Sequence, residues 1–190
     1  MPKLRRATAW LIDFALVAAV ASALAVLTFH RVSALVADVP GLATRGGWDL
    51  LASRGDVVGA SERLGLSLWD ETVLYVEEAF GLLVLITFGY QWACLALTGR
   101  TAGKALLGLK VAPVLPDRAR RAAALRAAVT TAADVAVYAV ACVLLVEGEF
   151  VLSVLVWAVA VALFLLNAVP VLLPGRRSLA DRLARTTVAP

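Results

Sequence analysis

The sequence predicts an all-α fold: a polytopic membrane protein of four transmembrane helices with both termini in the cytoplasm. Three observations predict it. Apolar residues make up 62% of the 190-residue chain and mean hydropathy is +0.87, well above what a soluble globule carries. Four stretches reach the roughly 20 mostly apolar residues needed to cross a ~30 Å hydrocarbon core, at about residues 7–29, 79–98, 127–146 and 150–173. Lys and Arg also gather on alternate sides of those stretches, as cytoplasmic flanks do.

The first span opens behind Lys3, Arg5 and Arg6 and carries Asp13 about a third of the way in. An ionised carboxylate there costs roughly 2.5–3.5 kcal/mol on insertion scales, so its surroundings must compensate. Arg6 lies seven positions earlier, on nearly the same helical face, yet about 10 Å away along the axis. Asp13 therefore reads either as a polar residue joining helices or as an ion or proton site. A basic start, an apolar run and Ala21-Ser22-Ala23 also resemble a cleaved signal peptide. Asp13 inside the run, and the run's continuation through Phe29, argue for a retained span.

Between the first two spans, the outer segment 30–76 holds Arg31, Arg45, Arg54 and Arg63 against a larger set of acids that includes Asp56, Asp70 and Glu71. Its many apolar residues, Leu50, Leu51, Leu64, Leu66 and Leu68 among them, predict one or two short amphipathic helices at the outer interface. Trp48 and Trp69 suit that level. The turn Glu147-Gly148-Glu149 between the last two spans is acidic and also faces outward.

The inner segment 99–126 is strongly basic, and so is the tail 174–190. Within the former, Gly99-Arg100-Thr101-Ala102-Gly103-Lys104-Ala105 imitates a nucleotide-phosphate loop. It has three residues between the glycines instead of four, and Ala105 stands where a magnesium-binding hydroxyl is needed. The better reading is a segment lying on the inner surface, with Lys104 and Lys110 facing anionic lipid headgroups. The net charge of +4 sits in such membrane flanks, which excludes nucleic acid as its explanation.

Cys94 and Cys142 fall in different spans, and the one histidine, His30, ends the first. No metal-ligand spacing or nucleophilic triad can be built from them, so neither metal, cofactor nor enzymatic activity is expected.

Three stretches carry a family resemblance: Arg6, Ala9 and Asp13; Thr101-Ala102-Gly103-Lys104-Ala105-Leu106-Leu107-Gly108-Leu109-Lys110-Val111; and Arg177-Ser178-Leu179-Ala180-Asp181-Arg182-Leu183-Ala184-Arg185-Thr186-Thr187-Val188. The chain resembles the RDD family of small bacterial membrane proteins, named for one arginine and two aspartates. The resemblance implies that Arg6 and Asp13 are the arginine and first aspartate. Asp181 is a candidate for the second, with Asp134 left open, and Gly103, Lys104, Gly108 and Thr186 match the motifs. The family's closing motif looks like His-Asp-Arg-Leu-Ala-Gly-Thr; here Ala180 replaces the His and Arg185 the Gly. The resemblance further implies a multi-pass protein of the bacterial cytoplasmic membrane and a suspected link to transport, sodium/proton exchange included.

One pattern belongs to the sequence itself. Asp13 lies seven positions from Arg6, Asp134 eight from Arg126, Gln91 nine from Arg100 and Asn167 nine from Arg176. At 1.5 Å per residue these four side chains share one layer roughly 10–14 Å above the inner charges, with Thr8, Thr87 and Thr130 as further oxygens. That layer serves either a small cation/proton exchanger or transport component using intramembrane carboxylates, or merely helix register in a non-catalytic subunit of a larger membrane or envelope complex. Four helices are few for a transport path, which favours a homo-oligomer or a larger assembly.

Overall fold

The computed structural model describes residues 2–38, 41, 44, 46–48, 57–113, 119–172 and 178–189. Its elements run α1 (Pro2–Ala37), α2 (Val57–Thr98), α3 (Ala102–Leu106), β1 (Lys110–Pro113), α4 (Ala119–Thr131), a π-helical turn (Ala132–Ala136), α5 (Val137–Val146), α6 (Phe150–Leu172), α7 (Leu179–Leu183) and β2 (Thr186–Ala189). Four helical stretches are long and apolar enough to cross a membrane: Leu4–Ala37, Ser61–Thr98, Ala119–Val146 and Phe150–Pro170.

The helices outrun the hydrophobic segments that announce them. α1 continues past Phe29 to Ala37. α2 begins at Val57, so residues 57–76, expected to hold separate interfacial helices, form one 42-residue helix with the second span. No proline interrupts it, and 42 residues at 1.5 Å each reach about 63 Å, roughly twice the hydrocarbon core. Trp48 and Trp69 are exposed as expected; Arg45, Leu50, Leu51, Arg54 and Asp56 lie outside the described residues. The third span likewise starts at Ala119 and carries Arg120, Arg121 and Arg126 as helix residues.

The helical fold that the sequence predicts also carries one small ribbon. β1 and β2 form an antiparallel two-stranded ribbon with Val111 opposite Val188 and Pro113 opposite Thr186. β-branched residues at Val111, Thr186, Thr187 and Val188 suit a ribbon, but four residues are too few to announce a strand by periodicity.

The chain divides into two compact units, 1–21 with 80–190, and 22–79. In the smaller unit Arg31 pairs with Glu78 at 2.6 Å and lies 5.7 Å from the Tyr75 ring centroid. The larger unit holds the site. There α5 and α6 turn around Gly148 at φ +89° and pack through Ala139, Ala141 and Ala160, with the Ser153 hydroxyl donating to the Ala141 carbonyl at 2.7 Å. Small residues allow that close approach and a polar group adds a bond across it.

Glycine at positive φ ends two helices and shapes the loop that follows. Gly99, at φ +67°, closes α2 by donating to the Leu95 carbonyl at 3.1 Å, and its own carbonyl accepts from the Val111 amide at 2.9 Å. Gly108, at φ +69°, closes α3 with a Schellman pair: its amide donates to Ala105 and that of Leu109 to Lys104. Leu109 and Val111 are thereby turned inward, and Val111 packs with Leu95 and Ala123.

Candidate functional site

Asp13 is compensated by a loop from the far end of α2. Its Oδ1 accepts from the Tyr90 hydroxyl at 3.1 Å and the Gly103 amide at 2.9 Å. Its Oδ2 accepts from the Thr101 hydroxyl at 2.5 Å and lies 3.6 Å from Lys104 Nζ. Thr101 holds the N-cap position of α3 without capping it; the carboxylate of another helix does so instead. Tyr90 completes the arrangement, its hydroxyl accepting from the Ala102 amide at 2.9 Å. The amides that made this stretch resemble a phosphate loop are thus already spent on a tyrosine and an aspartate.

Gly103 makes the contact sterically feasible. A Cβ there would collide with the Ala9 carbonyl oxygen and stand 3.1 Å from the Asp13 carboxyl carbon. Ala9 itself is 1% exposed, so α1 has no room to retreat sideways. This close approach overturns one expectation: Lys104 does not face lipid headgroups. Its amine turns toward Asp13 and donates to Thr101 Oγ1 at 3.1 Å, because an intramembrane carboxylate attracts it more strongly than solvated lipid does. Burial, helped by the nearby Arg126 charge, pushes the Lys104 amine down to about 8, although Asp13 and Asp181 pull the other way. Lys110, the other expected lipid contact, is exposed.

A second ion pair sits on α7. Asp181 pairs with Arg126 and accepts from the Ser178 hydroxyl at 2.9 Å and the Thr186 hydroxyl at 3.1 Å. Arg126 also donates to Thr186 Oγ1 at 2.7 Å. Ser178 and Asp181 form a capping box at the start of α7. Burial alone would raise the Asp181 carboxyl, but the Arg126 guanidinium and the hydroxyl donors outweigh it and hold the group below its ordinary value.

All four members of the expected polar layer, Asp13, Gln91, Asp134 and Asn167, line one cavity of about 90 Å³. Arg6, Thr87, Thr130, Lys104, Arg126 and Asp181 share its wall. The cavity has room for several waters, at roughly 10–15 Å³ each on this measure. The direct bond within the layer runs from Asn167 Nδ2 to Asp134 Oδ1 at 3.0 Å. Thr8 does not contribute: it is exposed and donates to the Leu4 carbonyl at 2.8 Å.

Among the motif residues, Gly103, Asp181 and Thr186 are buried, Gly108 sets the loop turn, and Arg177 lies outside the described residues. Sequence reasoning passed over Tyr90, Thr101, Arg126 and Ser178 as site residues. Ser178-x-x-Asp181 carries a readable capping signal; a tyrosine inside an apolar run carries none. Among the described residues no group of three His, Cys, Asp or Glu side chains could hold a metal ion.

The sequence model of the RDD family matches residues 2–185, nearly the whole chain. No curated protein and no solved structure matches.

Proposed function

The chain belongs to the RDD family, and from that premise we propose that it is a small cation/proton exchanger, or the ion-binding component of one, in the bacterial cytoplasmic membrane. The observation that carries this reading is the cavity, in which both intramembrane aspartates meet neutral oxygens from α2, α4 and α6. Three acids, Asp13, Asp134 and Asp181, face three bases, Arg6, Lys104 and Arg126. Exchange of a proton for a monovalent cation on one of these carboxylates leaves the charge of the low-dielectric interior unchanged. The oxygen-rich wall suits a hard cation.

On this reading both termini and the β1–β2 ribbon lie on the cytoplasmic side, since Arg5, Arg100, Lys110, Arg120, Arg121 and Arg182 are all exposed near it. Leu106 and Leu183, exposed on α3 and α7, dip into the interface beside anionic headgroups.

The test is proton flux. Protein reconstituted into vesicles with an acidic interior and a pH-sensitive dye should collapse the gradient when sodium or potassium chloride is added outside, and not when choline chloride is. Folded, correctly inserted protein that moves no protons in response to any alkali cation would overturn the reading.

A further inference from the structure

Two parts of this chain repeat each other 77 residues apart. Thr101 and Ser178 are N-caps with extended backbones, at ψ 165° in both. Each is followed by a five-residue helix, then by a residue at positive φ, Gly108 at +69° and Arg185 at +51°, and then by a strand. The two strands pair antiparallel with Val111 opposite Val188, which are themselves 77 apart. A two-fold axis through that pair therefore exchanges one strand with the other.

The correspondence continues into the spans. Tyr90 accepts from an amide in the first turn of its short helix, that of Ala102, and donates to Asp13; Asn167, 77 residues on, accepts from an amide in the first turn of the other, that of Ala180 (the counterpart of Gly103) at 3.5 Å, and donates to Asp134 at 3.0 Å. The spacing from Arg6 to Asp13 is seven and that from Arg126 to Asp134 eight. The additional residue falls where α4 passes into the π-helical turn Ala132–Ala136, the backbone form that absorbs a one-residue insertion. Asp134 is thus the second half's Asp13.

The halves differ at one telling place. Lys104 in the first corresponds to Asp181 in the second. In the first half the lysine and the Thr101 hydroxyl both serve Asp13. In the second half an acid stands there, pairs with Arg126 and takes the Ser178 hydroxyl for itself. Asp134 is left with Asn167 as its one hydrogen-bond donor among the described residues. Across the same cavity stands Thr87, 3% exposed.

We infer that the chain is a tandem repeat of one two-helix unit, and that the exchange of Lys104 for Asp181 between the halves frees Asp134 to bind a monovalent cation while Asp13 holds the fold. The inference rests on the exchanger reading for its ligand and on the repeat for its choice of residue. Thr87, Gln91 and Thr130 would supply neutral oxygens to a cation held by Asp134.

The two sources of support separate in one experiment on the purified full-length chain: thermal unfolding in detergent across a sodium chloride series, with choline chloride holding ionic strength constant. Sodium should raise the melting temperature of the wild type, as any ligand of the folded state does. Asp134→Asn should melt close to the wild type without sodium and lose the sodium-dependent rise. Asp13→Asn should melt lower and keep the rise. Thr101→Val, which removes one donor from Asp13 and leaves the carboxylate, should do the same more mildly and stands in if Asp13→Asn fails to fold. Persistence of the sodium response in Asp134→Asn, or a larger loss of stability there than in Asp13→Asn, would overturn the assignment. A wild type indifferent to sodium, potassium and lithium would instead overturn the cation reading, while the relative melting of the two variants would still judge the repeat.

Discussion

Arg185 occupies a backbone conformation that suits it poorly. At φ +51° a side chain crowds its own carbonyl, which costs roughly 1–2 kcal/mol that glycine avoids. Arg185→Gly should therefore stabilise the protein by about 1 kcal/mol, once the greater freedom of glycine in the unfolded chain is set against the relief. Thermal unfolding in detergent measures it, and an unchanged or lower melting temperature would contradict the strain. At this scale the sequence is informative about cost and silent about remedy. Asp13 declares itself by standing in an apolar run, but nothing in the order of residues says that Lys104 answers it. A lysine beside a membrane ordinarily meets lipid, and only the docking of α3 against Ala9, made possible by Gly103, turns this one inward.

α7 is a short element held by charge. Because the Asp181 carboxyl lies below its ordinary value of 3.8 in the folded protein, its stabilising contribution is fully present above that value and is lost as pH falls through the lower, folded one. Lys104 has the opposite sign of linkage. Its amine sits at about 8 instead of 10.5, so stability rises as pH climbs between those values, where the unfolded chain binds more protons. Asp181→Asn should destabilise the protein at pH 7 by about 3–5 kcal/mol, the range for removing one partner of a buried pair, and should flatten the acid limb of the profile while leaving the alkaline rise in place. Unfolding by denaturant from pH 3 to 10 would show both limbs, and an unaltered acid limb would count against the pairing. The long helices were legible as elements because composition alone marks them. Their ends were not, since hydropathy falls at the membrane surface whether or not the helix stops, as α2 shows by running from Val57. The ribbon was illegible for another reason: its strands are four residues each and their partners lie far apart in sequence.

For the molecule as a whole, the proposed orientation can be read from outside. In a chain whose Cys94 and Cys142 have been replaced, a cysteine at Trp48 should react with an impermeant thiol reagent on intact cells, and one at Arg120 should react only after the membrane is opened. Labelling of both from the same face would refute an arrangement with the basic flanks inside. The common depth of Asp13, Gln91, Asp134 and Asn167 was legible because depth can be counted along a helix from a charged flank; that Asp13 meets several donors and Asp134 the Asn167 amide was not, because that depends on which short helix each aspartate meets. The π-helical turn that contains Asp134 bears on that contrast. A helix with a surplus residue can pass the surplus along its length without breaking, as a wrinkle travels down a carpet. Each residue the wrinkle crosses swings by about 100° around the helix axis. Shifting it by one turn toward Val146 would rotate Asp134 out of the cavity wall while Arg126, one turn and more behind, stayed clasped to Asp181. Such a shift would present or withdraw that carboxylate with the helix that carries it unbroken.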